Sequence, residues 1–462
     1  MMPRSLQDFN EIPGPALGSS PLGAYRLLQQ IRRDVLSTIQ TSFDNFGDVL
    51  RFSVLGKNQV MLRHPAHVRE VLVEHADCYV KGDDYTDRRK GLAKFVGAGL
   101  LTSNGALWKR QRRLVSSALS PRRLAGYAAS MTASIDRSLD RYAAGDTVDI
   151  SETMMSMTLE IVGSALFHED MSSEVRRVAK AMNAVHGMIA ANNSALTLLP
   201  SWLPTLQRHR EKQAVRELDA IVYGLIRSRR PTVDAPLLDR GDLCSTFLLA
   251  TDETGARMSD EQVRDEIVTM FLAGHETTAN ALSWAWLLLA AHAEAQKQLH
   301  EELDSALGSR TPTYDDIERL PFATAVIKEA LRLYPPVFLF KRTSVKATSI
   351  GGYAIPAGVD VTIVPYATQR DPRFHDRPND FIPPRFLSGV TVDKYAWLPF
   401  GAGPRVCVGA GFAMIESVLI LAKLAQHFQP VLLPHQSVQP EPGATLRPKA
   451  PLKMRLEARH QP

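Results

Sequence analysis

Cysteine is scarce in this chain: Cys78, Cys244 and Cys407 are the only three in 462 residues. Odd in number and far apart, they exclude a disulfide framework of the kind that staples small secreted domains, and a reducing compartment fits. A long apolar run near the start is also missing. Residues 1–30 hold no stretch long enough for a signal-peptide core or a bilayer span, so a cytoplasmic protein without a membrane anchor is expected. The most apolar later stretch, Ile189 to Leu203, is interrupted by Asn192, Asn193 and Pro200 and closed by Pro204. Those breaks argue against a span and leave two readings, a loop packed on the core or the lip of a substrate entrance. Charge of one sign is not in large excess. With 54 Lys and Arg against 49 Asp and Glu the net charge is +5, which does not indicate a nucleic-acid partner. No linker, low-complexity tract or solenoid-length repeat divides the chain. Length alone suggests about three domains, but a single domain over 1–462, acting as a monomer, is the better expectation.

What is present reads as an ordinary globular enzyme, 45% hydrophobic and 22% charged. Val49 to Leu62 alternates apolar and polar residues around a Gly-Lys-Asn turn, the pattern of a hairpin. Most of the following chain reads as helix. The clearest case opens at Ser259, where Gln262 completes a capping-box pattern and apolar residues recur from Ile267 to about Leu289. Such a helix would be on the order of 45 Å long and must be central. A second helix starts near Pro321 and stops before Pro335 and Pro336. Two short strands flank Pro356-Ala357-Gly358, and a further apolar helix runs from about Phe412 to His427. The fold class is mainly α with a small β portion.

The strongest chemical signal is Phe400-Gly-Ala-Gly-Pro-Arg-Val-Cys-Val-Gly409. A lone cysteine is by default a buried turn residue. Here it stands in a glycine-rich loop just before a helix, where exposed amides and the helix N-terminus favour the thiolate. Gly401, Gly403 and Gly409 let backbone approach a flat cofactor, and Arg405 offers a fixed cation to an anionic group on it. This segment matches FxxGxRxCxG at every specified position and resembles the haem loop of the cytochrome P-450 family. The resemblance implies that family's fold, with haem b between the long central helix and the helix after the cysteine loop. It also implies Cys407 as proximal iron ligand, Arg405 on a haem propionate, and Phe400, Gly401 and Ala273 against the cofactor. A thiolate ligand favours O–O cleavage.

Ala273-Gly-His-Glu-Thr-Thr278, in the long helix, is a poor choice for helix stability, since mid-helix Gly costs about 1 kcal/mol and Thr can bond back to the backbone. Such a local fault marks either a site or a solvated patch. It resembles the family's oxygen-activation motif, in which the helix opens slightly and Glu276 with Thr277 guides protons. His275 reads as a spacer. Glu329 and Arg332 share a helix face at i, i+3. They resemble the family's ExxR pair, with Arg385 completing a fold-holding cluster. Pro384 stands where the usual pattern has Glu, and Ala293 where relatives often have Pro.

Trp108 and Arg112 form a WxxxR pair suited to carboxylates; the resemblance assigns them, with Arg342, to haem propionates. Lys109, Arg110 and Arg113 read either as a solvated helix face or as a docking surface. The resemblance further places Phe95, Val96, Thr269, Leu272, Ala273, Val337 and Phe338 around the substrate. It covers effectively the whole chain, from Ile12-Pro-Gly-Pro15 to the C-terminal strands. It implies a soluble bacterial-type monooxygenase that inserts one atom of O2 into a hydrophobic molecule by hydroxylation or epoxidation. The substrate classes left open are fatty acid, terpenoid, steroid and polyketide. NAD(P)H would supply electrons through a ferredoxin or flavodoxin and its reductase. The alternatives are a haem-thiolate sensor without catalysis, which would have no use for Glu276 and Thr277, and a peroxide-driven relative, which tends to lose that pair.

Overall fold

Capping decides where the longest helix begins. Ser259 Oγ accepts from the Gln262 amide at 3.2 Å, and the Gln262 side chain accepts from the Ser259 amide at 3.1 Å, closing the capping box. The helix then runs over Asp260–Ala291, 32 residues. At 1.5 Å per residue that is about 48 Å. His292 leaves helical geometry at φ −131°, ψ 81°, and Ala293–Ala306 starts a new helix at once, so no proline is needed at the junction. The structure, a computed structural model, describes residues 6–15, 29, 33–54, 57–89, 91–167, 206–230, 237–387 and 393–459. The Ile189 to Leu203 stretch lies outside them.

The chain separates into two compact units, one of Met1–Gly82 with Lys328–Cys407, the other of Asp83–Ile327 with Val408–Pro462. In the second, the long helix packs most extensively on Ile150–Phe167 and is flanked by Leu206–Arg229, Leu243–Leu249 and Ala410–His427. It buries residues on both faces: Ile267, Phe271, Leu282, Trp284 and Trp286 are fully enclosed, and Arg264, Asp265, Glu266 and Glu276 are buried among them. A small antiparallel sheet sets Lys453–Ala458 between Thr147–Asp149 and Phe428–Leu432.

The first unit holds a five-stranded sheet in the order Val49–Val54, Lys57–Leu62, Asp360–Ile363, Phe340–Ser344, Tyr79–Val80. The expected hairpin is there, with Val49 opposite Leu62, and only Lys57–Leu62 against Asp360–Ile363 is parallel. Alternation splits the strand between two cores. Val60 and Leu62 join Val68, Leu72, Val361 and Ile363 on one face, while Met61 joins Phe43 and Leu50 on the other. The helix Pro321–Leu333 begins and ends where its prolines predict. The fold is thus mainly α with a small β portion, and among the described residues no helix is long and apolar enough to cross a membrane.

Candidate active site

The cysteine loop is shaped by its backbone. Gly403 turns at φ 70°, and a Cβ there would lie 1.8 Å from the Leu72 carbonyl oxygen, so only glycine lets the loop press against the 70–74 turn. The Cys407 amide donates to the Phe400 carbonyl at 2.9 Å, closing the loop on itself. Of the three cysteines Cys407 is exposed, whereas Cys78 and Cys244 are buried. Burial pushes the Cys244 thiol up to about 12, which keeps it a thiol.

Two guanidiniums accompany the loop. Arg342, on the strand Phe340–Ser344, is buried, and Arg405 is partly so. Burial, and then the neighbouring charge of Arg342, bring Arg405 down to about 10. Two cations that disfavour one another in a partly desolvated place are stabilised by an anion. Among the described residues no three His, Cys, Asp or Glu gather to hold a metal. An iron bound through one cysteine would therefore need its other ligands from a cofactor. An exposed thiol on a glycine-shaped loop with two cations in the same unit fits a flat, anionic, thiolate-ligated group.

Glu329 lies at the centre of the network behind the loop. Its carboxylate accepts from Arg332 Nε and Nη2 at 2.7 and 2.8 Å, from Arg385 Nε at 3.2 Å and from the Ile382 amide at 2.9 Å. Pro384 changes none of these bonds, because Arg385 reaches Glu329 through its own side chain. Arg332 also donates to the carbonyls of Gln369, Pro378 and Asp380. Sequence reasoning missed Gln369, which is fully buried and joins the Leu331 and Arg332 carbonyls to the Leu398 amide just before the loop. No pattern marked it, since an isolated glutamine looks like surface.

On the long helix the Ala273–Thr278 turn is continuous α-helix. No break in the helix marks this turn, and its hydroxyls bond back along it. Thr277 Oγ1 donates to the Ala273 carbonyl at 2.7 Å and Thr278 Oγ1 to the Gly274 carbonyl at 3.0 Å. Glu276 is buried, its Oε1 accepting from the Thr445 hydroxyl at 2.6 Å while Asn280 donates to the same Thr445 at 3.0 Å. His275 is buried with Nδ1 2.6 Å from the Phe271 carbonyl, consistent with a packing role.

Phe95, Val96, Thr269, Leu272 and Phe338 are buried, and Val337 is 37% exposed. Thr269 Oγ1 is committed to the Asp265 carbonyl at 2.7 Å. Trp108 and Arg112 stand one turn apart on the helix Gly105–Ala118, both partly exposed. The basic residues beside them are less available than the sequence suggests. Arg110 bonds Asp252 at 2.6 Å and also the Gln262 side chain and the Ala256 and Arg257 carbonyls, while Arg113 pairs with Glu253. Three further acids escaped the sequence reading: Asp265 and Glu266 on the long helix and Glu416 on Ala410–His427, all buried. The available signal was position. At 100° per residue Asp265 falls on the same helix face as Thr269, Leu272 and Glu276.

A family model described as Cytochrome P-450 matches residues 15–456. Cyclooctatin synthase of Streptomyces melanosporofaciens is 36% identical over 96% of this chain and 95% of its own length. Pentalenene oxygenase of Streptomyces avermitilis is 31% identical over 97% of this chain and 98% of its own. Cyclooctat-9-en-7-ol 5-monooxygenase of Streptomyces melanosporofaciens is 32% identical over 94% and 91%.

Proposed function

The chain belongs to the cytochrome P-450 family, and from that premise we propose that it inserts one oxygen atom from O2 into a terpenoid. It is a monooxygenase, and its family's cofactor is haem with a thiolate ligand. One agreement carries the substrate class. Near-full-length relatives are named for pentalenene and for cyclooctatin chemistry, which are polycyclic terpenoids, and Phe95, Val96, Leu272 and Phe338 are apolar and buried. The hydroxyl of Thr269 is already engaged. Apolar side chains at these positions suit a hydrocarbon skeleton better than a fatty acid needing a carboxylate anchor. Spectral titration of the haem-loaded protein against terpenes, fatty acids, steroids and polyketides tests this. Terpenes should bind most tightly, and a response confined to fatty acids would overturn the reading.

In this reading Cys407 ligates the iron, while Arg342, Arg405, Trp108 and Arg112 hold the propionates and Phe400, Gly401 and Ala273 lie against the ring. When bound, the haem supplies reductive activation of O2, which a thiolate ligand drives toward O–O cleavage. Thr277 Oγ1 keeps its proton on the Ala273 carbonyl and must rotate away to donate it, and Glu276 is the acid that replenishes it. Glu329, Arg332 and Arg385 hold the fold. Electrons come from NAD(P)H through a ferredoxin or flavodoxin and its reductase, and the enzyme works as a single-domain cytoplasmic monomer. Turnover that follows NAD(P)H with added partners, and is poor with peroxide alone, supports that route over a peroxide-driven one.

A further inference from the structure

Asp265 and Glu266 take no part in the roles above, yet they are 4% and 0% exposed. Each accepts a backbone amide from the same neighbouring segment. The Ala98 amide donates to Asp265 Oδ2 at 2.7 Å, and the Leu100 amide to Glu266 Oε2 at 3.1 Å. Arg264 completes the clasp, donating to Asp265 Oδ1 at 2.9 Å and to the Phe95 carbonyl at 3.2 Å. The approach is close: a Cβ on Gly97, which turns at φ 72°, would lie 2.0 Å from Asp265 Oδ1. From the segment's other side Gln111 Nε2 donates to the Ala98 carbonyl and Thr102 Oγ1 to the Gly97 carbonyl, both at 2.7 Å.

Holding a loop this way is costly. Two adjacent buried carboxyls are paid for in desolvation, which apolar packing would avoid. Glu266 Oε1 moreover has no hydrogen-bond partner. What the arrangement gives instead is direction, since an acceptor at a fixed point of a rigid helix fixes the register of the amides it binds. The segment so held carries Phe95 and Val96.

We propose that Asp265 and Glu266 are positioning residues that latch the Phe95–Leu101 segment to the central helix, and that this latch sets how closely the enzyme encloses its substrate. The effect on substrate rests on the reading above that Phe95 and Val96 border the pocket; the latch itself does not.

The latch responds to pH in a stated direction. Burial, opposed by the Leu100 amide and reinforced by Asp265, pushes Glu266 up to about 8, and burial also raises Asp265. Among the described residues the titratable groups that act on the pair are Arg264 on the same helix, Arg88 from the 83–91 segment, Tyr223 on Leu206–Arg229 and, through Arg264, Asp219. Arg264 is already shared between Asp265 and Asp219, so it cannot offset a second anion in full. With the closed-state value above that of a hydrated carboxyl, the latch is firmest below the ordinary value of 4.5 and weakens as pH rises through about 8.

Amide hydrogen exchange at Ala98 and Leu100, read on the haem-loaded protein alongside terpene titration, tests the proposal. Glu266→Ala should speed exchange at Leu100 by about tenfold, the loss of one hydrogen bond to a buried acceptor, and weaken terpene binding at unchanged haem content. Glu266→Gln keeps an acceptor that cannot ionise and should restore protection. The wild-type to Glu266→Gln rate ratio, which cancels the base catalysis of exchange, should then rise by up to about tenfold per pH unit between about pH 6 and about pH 8. Unchanged exchange in Glu266→Ala, or a ratio indifferent to pH, overturns the latch. Should Glu266→Ala fail to fold, the Glu266→Gln ratio decides alone. If the wild type binds no terpene, the substrate reading falls, and the exchange data still decide the latch.

Discussion

Glu329 and Arg332 meet as a fork with neither side chain exposed: Nε stands 2.7 Å from Oε2 and Nη2 2.8 Å from Oε1. The spacing i, i+3 puts them on one face, but the depth of burial gives the pair its weight. Removing one partner leaves an uncompensated charge where water cannot reach. Glu329→Gln should therefore cost about 3–5 kcal/mol, read as a lower midpoint in urea unfolding. Arg385→Ala removes the longer 3.2 Å contact to Glu329 and a bond to the Arg377 carbonyl but leaves the fork intact, and should cost less. Equal losses for both would mean the fork is not the centre of the network.

For the cysteine loop the sharpest check is spectroscopic. Cys407→Ser should abolish the red-shifted band of the reduced carbon-monoxide complex, because that band requires a thiolate on the iron. Cys78→Ser and Cys244→Ser, which alter buried thiols, should keep it. Loss of the band in either of these with retention in Cys407→Ser would reverse the assignment.

Much of this molecule was legible from residue patterns because the patterns are local. The Ser259 capping box, the prolines bracketing Pro321–Leu333 and the hairpin alternation each concern contacts within a few residues. The Cys407 loop was legible because its glycines are needed where backbone meets backbone. Gln369, Asp265 and Glu266 were not, because their partners Leu398, Ala98 and Leu100 lie far along the chain. Nothing near an isolated acid on a helix says that a loop amide will meet it. The docking-face reading of Arg110 and Arg113 was weakened for the same reason, since Asp252 and Glu253 are distant in sequence.

Thr277 holds its hydroxyl proton on the Ala273 carbonyl at 2.7 Å, so the side chain is a preformed donor one rotation away from use. Thr277→Ala should still take up haem and bind substrate, but send reducing equivalents to peroxide. The ratio of product to NAD(P)H consumed should fall severalfold. A ratio equal to wild type removes Thr277 from proton delivery.

His300, on the helix Ala293–Ala306, should limit stability in acid. Burial, with Arg459 nearby, depresses it to about 4, and its Nε2 is enclosed without a partner. With the folded value below the unfolded one, its contribution is present above about 6.5 and is lost as pH falls through about 4. After discounting for partial exposure the effect is roughly 1–2 kcal/mol. His300→Gln should flatten the urea midpoint over that range; an unchanged slope would assign the acid loss elsewhere.

The ion pairs on the helix Gly105–Ala118 change what is expected of reduction by an acidic partner. Complementary charge raises encounter rates more than final affinity, so only cations whose field is not already cancelled should matter. Arg110 is tied to Asp252 and to the Ala256 and Arg257 carbonyls, which makes it a brace for the start of the long helix. Arg113 faces Glu253, and Arg123 pairs with Asp239. Lys109 and Arg122 are exposed. Lys109→Glu and Arg122→Glu should therefore slow reduction by a ferredoxin or flavodoxin severalfold at low ionic strength, and the difference should fade as salt brings the screening length below about 10 Å. Replacing Arg113 and Glu253 together by Gln should change the rate little, because it removes a neutral pair whole, and Arg110→Gln should lower stability more than rate. Stopped-flow reduction across ionic strength separates these outcomes. A rate that depends on Arg113 as strongly as on Lys109 would show that Glu253 does not mask it in solution, and the basic face would then extend along the whole helix.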